Sequence, residues 1–169
     1  MRRLSGTLTG LFMALSFSVA EPPTEAKLSM IDGAFPPKYD RDDKVVDLTG
    51  IALRGGTSPL DELSRFLAGP GYRVVALSAT WCMPCRRSYA SLVKFANGKD
   101  SAPVAMLVTD KEILGVDESS RFHTVFGKEL TYPSYFIFCN KKSAGPPLDN
   151  VSDLSRILRK VSRDNPCEK

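Results

Sequence analysis

The stretch RVVALSATWCMPCRRSYASLVKFANG, residues 73–98, decides the fold of this chain. Its first six residues, 73–78, form a short run typical of a buried central β-strand. From Arg86 to Asn97 the apolar residues recur at helical spacing, and Asn97-Gly98 ends that pattern. The apolar positions of this predicted helix are Tyr89, Leu92, Val93 and Ala96. The chain therefore passes from a strand to a helix through a segment that contains Cys82 and Cys85.

Cys82 and Cys85 have a spacing with a clear chemical use. Two sulfurs three positions apart in the first turn of a helix can reach disulfide distance. The first sulfur lies beside free backbone N–H groups and the positive helix end, which favour the thiolate and make it a nucleophile. The second cysteine can then resolve a mixed disulfide. We therefore predict that Cys82 attacks, that Cys85 resolves, and that Trp81 covers one side of the site.

Other interpretations of the two cysteines are weaker. A zinc site would need a second pair of Cys or His residues at ligand spacing, and the sequence has none, so no metal site is predicted. Covalent haem would need a histidine after Cys85, where Arg86 stands, and the only histidine is His123, to which we assign no function. A purely structural disulfide remains the alternative.

Strands and helices alternate along the rest of the chain. Such alternation predicts an α/β domain built around a sheet. The predicted strands are residues 45–48, 73–78, 103–109 and 134–139. The predicted helices begin at Ser58, which precedes Pro59 as an N-cap, at the cysteine pair, near Glu118, and at Asn150 or Ser152.

The N-terminal region has the features of an export signal. Arg2 and Arg3 precede an apolar run at residues 11–19, and Ser18-Val19-Ala20 predicts cleavage after Ala20. The run is shorter than the roughly 20 residues that span a bilayer, and an uncleaved tether is the alternative. We therefore divide the chain into a signal peptide (1–20), an irregular extension rich in proline and charge (21–44), and one domain (45–169).

Composition limits the classes of function. The chain has 169 residues, 43% of them hydrophobic, which suits a single compact domain. The net charge is +4, but lysine and arginine are scattered and form no basic block. A nucleic-acid partner is therefore not expected.

The run Ala79-Thr80-Trp81-Cys82-Met83-Pro84-Cys85-Arg86 resembles the active-site segment of thioredoxin-like proteins, above all exported reductases of the TlpA/ResA type. The resemblance covers about residues 45–163. It implies a thioredoxin fold, in which helices flank a central mixed β-sheet, here with an N-terminal extension, and it implies no cofactor. In that family a cis proline faces the cysteines and presents substrate backbone, and Pro133 matches it, with Tyr132 beside it.

One departure from the family concerns the proton acceptor. Thioredoxins carry a buried acid six positions before the first active-site cysteine, and this chain has Ala76 there. Asp110 and Glu112 follow the neighbouring strand and are candidates to replace it. Solvated loop acids are the preferred alternative for both.

The same resemblance places Cys139 and Cys167 at the pole opposite the active site. The strand after the cis proline and the last helix both run away from the site, so the two cysteines are expected to form a structural disulfide. A buried free Cys139 and a free Cys167 in the tail are the alternative. Residues 140–149 contain two prolines, so the next edge strand is expected to be short or missing.

The sequence therefore predicts an exported thiol–disulfide oxidoreductase that reduces disulfides in other exported proteins. Met83-Pro84 between the cysteines favours the reducing direction, since strongly oxidising DsbA-like proteins have Pro-His at these two positions. Relatives of this type are typically re-reduced by a membrane-embedded electron donor. A disulfide oxidase or isomerase, and a non-catalytic binding or chaperone module, are the alternatives.

Overall fold

The computed structural model describes residues 24–34, 44–127, 130–164 and Cys167. The predicted signal peptide, residues 1–20, lies outside these ranges. In the described ranges, no helix has the length and apolar character needed to cross a membrane.

A five-stranded mixed sheet forms the centre of the domain, with strand order β1-β3-β2-β4-β5. β1 and β2 both pair in parallel with β3, while β4 pairs antiparallel with β2 and β5 with β4. Ala76, in the middle of the central strand, lies opposite Met106 on one side and Tyr135 on the other. The strands are β1 (Val45–Asp47), β2 (Tyr72–Ser78), β3 (Val104–Val108), β4 (Ser134–Cys139) and β5 (Lys142–Ser143).

Helices cover both faces of the sheet. Alternate residues of β2 divide the core, with Val74 and Ala76 on one face and Val75 and Leu77 on the other. The first face packs against α1 (Thr24–Ala34), α4 (Met83–Ala96) and α7 (Leu154–Asp164); the second packs against α2 (Leu48–Gly55), α3 (Pro59–Leu67) and α6 (Val116–Phe126). The short α5 (Lys111–Leu114) precedes α6, and a 3-10 turn, Val151–Asp153, precedes α7. The predicted α/β layering is confirmed.

The predicted irregular extension contains a helix. α1 lies within residues 21–44, and its Ile31 is buried in the same core cluster as Val45 of β1. The sequence pattern gave no helical signal because the apolar residues of α1 are few and do not form a continuous stripe. Its packing against the core, and not a strong amphipathic pattern, holds this helix in place.

Several local predictions are confirmed. Ser58 caps α3 by accepting the backbone N–H groups of Leu60 and Asp61, and Asn150 caps the turn before α7. The edge strand β5 is only two residues long, as the prolines in this region predicted. His123 is exposed on α6.

Candidate active site

Cys82 and Cys85 lie where the central strand passes into α4. β2 ends at Ser78, a tight turn follows in which the Cys82 N–H donates to the Ala79 carbonyl at 3.0 Å, and α4 begins at Met83. Cys82 is the N-cap of α4, and its Sγ accepts the Cys85 N–H at 3.1 Å. The two cysteines are joined by a disulfide with a Cα–Cα distance of 5.3 Å. The predicted strand–turn–helix setting of the pair is therefore present.

The surroundings of the Cys82 sulfur favour negative charge when the disulfide is reduced. The sulfur sits at the positive end of a helix of 14 residues whose first turn has no acidic residue. A backbone N–H already points at it from Cys85. Hydrogen bonding to the charged form and the helix dipole both lower a thiol pKa. This arrangement suits a nucleophilic thiolate.

Asp110 holds the turn that precedes Cys82. This residue directly follows β3 and its neighbour Thr109, and it is only 6% exposed. Its carboxylate accepts the Thr80 backbone N–H at 2.7 Å and the Thr80 hydroxyl at 3.1 Å. The preferred interpretation of Asp110 as a solvated loop acid is therefore wrong, because the turn between β2 and α4 covers this side chain. Glu112, the other candidate, is exposed on α5.

Arg86 holds the other side of the same turn. Its guanidinium donates to the Thr80 carbonyl at 2.8 Å. Thr80 thus has its N–H, its hydroxyl and its carbonyl all engaged by charged side chains from two different elements. Such a turn has little freedom to move Cys82 away from the helix start.

A second chain of hydrogen bonds anchors the first turn of α4 to β4. The Tyr135 hydroxyl donates to Ser88 Oγ at 2.9 Å, and the Ser88 hydroxyl donates to the Cys85 carbonyl at 3.0 Å. Tyr135 is 1% exposed and lies two residues after Pro133. The strand behind the predicted substrate loop is therefore tied to the helix that carries both cysteines.

Tyr135 gives a testable pH dependence. Burial raises the pKa of its hydroxyl above the usual 10.0, and the Ser88 hydrogen bond opposes this shift. The folded chain therefore holds this proton more tightly than the unfolded chain, so the stabilisation is complete below pH 10.0 and is lost as the pH rises through the raised pKa. In urea unfolding, Tyr135→Phe should lose less unfolding free energy than wild type between neutral and strongly alkaline pH. Equal losses in both proteins would contradict this assignment.

The peptide bond between Tyr132 and Pro133 is cis, as the resemblance implied. Tyr132 packs against the small cluster of Ala79, Cys82 and Cys85. Its ring meets that of Trp81 edge-to-face, with centroids 5.7 Å apart. The structure thus brings together Trp81, Tyr132 and the cysteine pair, as the sequence predicted.

Trp81 forms an exposed wall at this site. Its side chain is 68% exposed, and Met83 across the turn is 51% exposed, whereas Cys82 and Cys85 are 1% and 5% exposed. Large exposed apolar side chains around a buried reactive group are typical of a surface that binds another chain. Trp81, which was predicted to cover one side of the site, therefore forms part of an open apolar rim around the two cysteines.

Cys139 and Cys167 are disulfide-bonded, with a Cα–Cα distance of 5.6 Å. Cys139 ends β4, at the opposite end of the strand from Pro133. This bond joins the sheet to the chain that follows α7, at the pole predicted for it.

The residues that sequence reasoning missed are polar groups supporting the site: Thr80, Ser88, Thr109 and Tyr135. Ser88, Thr109 and Tyr135 lie within predicted strands or a predicted helix, and Thr80 lies in the turn between β2 and α4. Nothing local marks any of the four as a partner of the site. The one available signal was the pair Thr109-Asp110, polar residues directly after an apolar strand that ends beside the site.

Thioredoxins are among the solved structures with similar architecture. Thioredoxin NaTrxh from Nicotiana alata matches with a TM-score of 0.51 and 17% identity, over 70% of this chain and 92% of that chain. Thioredoxin f2 from Chlamydomonas reinhardtii has a TM-score of 0.48 and 14% identity, over 73% of this chain and 97% of that one. The Malassezia sympodialis thioredoxin has 0.46 and 21%, over 60% and 84%. No protein-family model matches the sequence, and no curated protein matches it either.

Sheet order, helix placement and the Nicotiana match together define the class: the chain has the thioredoxin fold. Identities this low show the fold alone. Within that fold, the chain carries the disulfide-bonded Cys82–Cys85 pair at the head of α4.

Proposed function

We propose that this protein is an exported thiol–disulfide oxidoreductase that reduces disulfides in other exported proteins. The observation that carries the proposal is the position of Cys82. Its sulfur caps the N-terminus of α4 and is within bonding distance of Cys85, beside the loop of the cis proline.

The proposed reaction transfers two electrons by thiol exchange. In the reduced protein the Cys82 thiolate attacks one sulfur of a substrate disulfide, whose S–S bond breaks, and the departing substrate sulfur takes up a proton. Cys82 is then in a mixed disulfide with the substrate. Cys85 loses its proton and attacks Cys82 Sγ, which releases the second substrate thiol. The products are a substrate dithiol and the Cys82–Cys85 disulfide seen in the structure.

The proposed substrate surface is the apolar rim of the cysteine pair. Trp81 and Tyr132 form its aromatic wall, and Pro133, which follows Tyr132, is half-buried. Pro133 has no backbone N–H to donate. An extended substrate segment can bind such a surface through its backbone groups and its apolar side chains. Substrates are accordingly proposed to be unfolded or flexible segments of proteins.

The proposed direction rests on the residues between the cysteines. Met83-Pro84 adds no cation to the first turn, so the Cys82 thiolate is stabilised mainly by the helix end. Weaker stabilisation of the reduced form means a less oxidising couple. In the compartment to which residues 1–20 would direct it, such a protein needs a supply of electrons, for which we propose a membrane-embedded donor.

The reduction potential of the Cys82–Cys85 couple tests this direction. Equilibration with glutathione or dithiothreitol buffers, followed by thiol labelling, should give a value nearer to about −270 mV than to about −120 mV. A value at the oxidising end would favour a disulfide oxidase. A protein with a measurable couple but no insulin reduction in dithiothreitol would be a binding module.

Export is tested separately from chemistry. The full chain expressed in a bacterium should accumulate in the periplasmic fraction with Glu21 as its first residue, and a chain that begins at Glu21 behind a start methionine should stay in the cytoplasm. Retention of the full chain in the cytoplasm would refute the localisation. Recovery of the intact N-terminus with membranes would indicate a tether.

A further inference from the structure

Two consecutive polar residues end the neighbouring strand of the sheet, directly behind the site. Thr109 is 7% exposed and Asp110 is 6% exposed, and both follow the apolar strand β3. The Thr109 N–H continues the ladder with the Ser78 carbonyl of β2 at 3.0 Å, so the pair starts from a fixed backbone. Their side chains contact two different loops of the site.

The Asp110 carboxylate contacts the cysteine loop. Both of its carboxylate oxygens accept hydrogen bonds from Thr80, two residues before Cys82. Burying a carboxylate is unfavourable unless donors compensate it, and the two donors here belong to one residue of the active-site turn. The carboxylate therefore ties that turn to β3.

Thr109 contacts the proline loop. Its hydroxyl and the Tyr132 hydroxyl share a hydrogen bond. Tyr132 precedes Pro133 and carries the ring against which Trp81 packs. Valine would fill the same volume, so the hydroxyl of Thr109 adds only this polar contact and a long one to the Ser78 carbonyl.

We propose that Thr109 and Asp110 are positioning residues that fix the two loops of the redox site against one central strand. Asp110 holds the turn that keeps Cys82 at the start of α4, and Thr109 holds Tyr132 and the substrate wall. This inference rests on the proposed function. It predicts that substitutions at Asp110 change the reactivity of Cys82, whereas substitutions at Thr109 change the aromatic wall.

The first test compares Asp110→Ala with Asp110→Asn. Both variants lack the negative charge, but the amide of asparagine still accepts the Thr80 N–H. The ratio of their rates therefore leaves out the effect of the charge and reports the loss of the side chain that holds Thr80. Alkylation of reduced Cys82 by iodoacetamide at neutral pH, followed by peptide mass mapping, should be about tenfold slower in Asp110→Ala than in Asp110→Asn. Equal rates, with Asp110→Ala merely melting at a lower temperature, would overturn the role of Asp110.

A second pair covers the case in which Asp110→Ala does not fold. Thr80→Val removes one of the two hydrogen bonds to Asp110 and keeps the other, and Thr80→Ser keeps both. Alkylation of Cys82 should slow by about threefold in Thr80→Val and stay within about twofold of wild type in Thr80→Ser. Unchanged alkylation in Thr80→Val would count against the proposal.

The test of Thr109 uses the only tryptophan of the chain as its reporter. In Thr109→Val, the fluorescence anisotropy of Trp81 should fall, and the KM for insulin should rise about fivefold. The rate of Cys82 alkylation should stay within about twofold of wild type, because the cysteine turn keeps its own anchor. Thr109→Ser should restore both Trp81 anisotropy and KM.

The outcomes test the positioning roles and the proposed function separately. Unchanged Trp81 anisotropy in Thr109→Val would overturn the proposal that Thr109 positions Tyr132. Alkylation of Cys82 that slows as much in Thr109→Val as in Asp110→Ala would overturn the proposal that the two residues hold different loops. If wild-type protein reduces no insulin, the proposed function fails. In that case the rate of Cys82 alkylation and the anisotropy of Trp81 still test the positioning roles of Asp110 and Thr109.

Discussion

Cys82→Ser should abolish insulin reduction, lowering the rate at least about a thousandfold towards the dithiothreitol background. A serine hydroxyl stays protonated at the helix start, so no nucleophile remains to attack the substrate disulfide. The measurement is the turbidity of reduced insulin chains at equal concentrations of folded protein. Full activity in Cys82→Ser would refute the mechanism.

Cys85→Ser is the matched partner of this variant. It keeps the attacking sulfur but cannot resolve, so it should accumulate one covalent substrate per molecule through Cys82, visible on a non-reducing gel and reversed by dithiothreitol. Cys82→Ser should form no such adduct. Equal trapping by both variants would show that the roles of the two sulfurs are not those proposed.

Removing the Cys139–Cys167 bond should give the largest loss of stability among the changes considered. The bond closes a loop with a sequence separation of 28 residues, and chain entropy predicts a loss of ~3.6 kcal/mol in unfolding free energy. For a domain of this size that corresponds to a decrease in Tm on the order of 10 °C. Urea and thermal unfolding of Cys139→Ala/Cys167→Ala against the oxidised wild type provide the measurement.

The same double variant is also a control for the active site. Because Cys139 lies at the far end of β4 from Pro133, insulin reduction per folded molecule should stay close to that of wild type. The single variant Cys167→Ala should lose as much stability as the double variant, since either change opens the loop. A change below about 0.5 kcal/mol would show that the loop is already restricted in the unfolded chain.

Periodicity was sufficient to predict β2, β3, β4 and the cysteine helix, because their apolar patterns match the faces they bury. It was insufficient for α2, whose sequence contains glycines that disfavour helices. The structure shows what a side chain at one of these glycines would disturb. The Asp47 carboxylate caps α2 by accepting the Gly50 N–H at 2.9 Å, and a Cβ on Gly50 would lie 2.1 Å from that carboxylate.

The chemistry of the site was more predictable than its support. The cysteine spacing marks Cys82 and Cys85, and the position of Pro133 before an apolar strand marks the cis-proline loop. The supporting hydrogen bonds join residues distant in sequence: Thr109 and Tyr132 are 23 positions apart, and Ser88 and Tyr135 are 47 apart. No local pattern encodes such contacts, because they arise only when the sheet forms.

The short edge strands of this sheet have a consequence for self-association. β1 has three residues and β5 has two, while Leu148 pairs with Tyr135 and so covers part of the outer side of β4. The β4–β5 turn places Asn140 and Lys141 at positive φ, and Pro146 and Pro147 follow β5. Within the described ranges, little unpaired backbone is left on which a foreign strand could extend the sheet. The folded protein can therefore expose the apolar ring of Trp81 without offering another copy of the chain a long sheet edge on which to add strands.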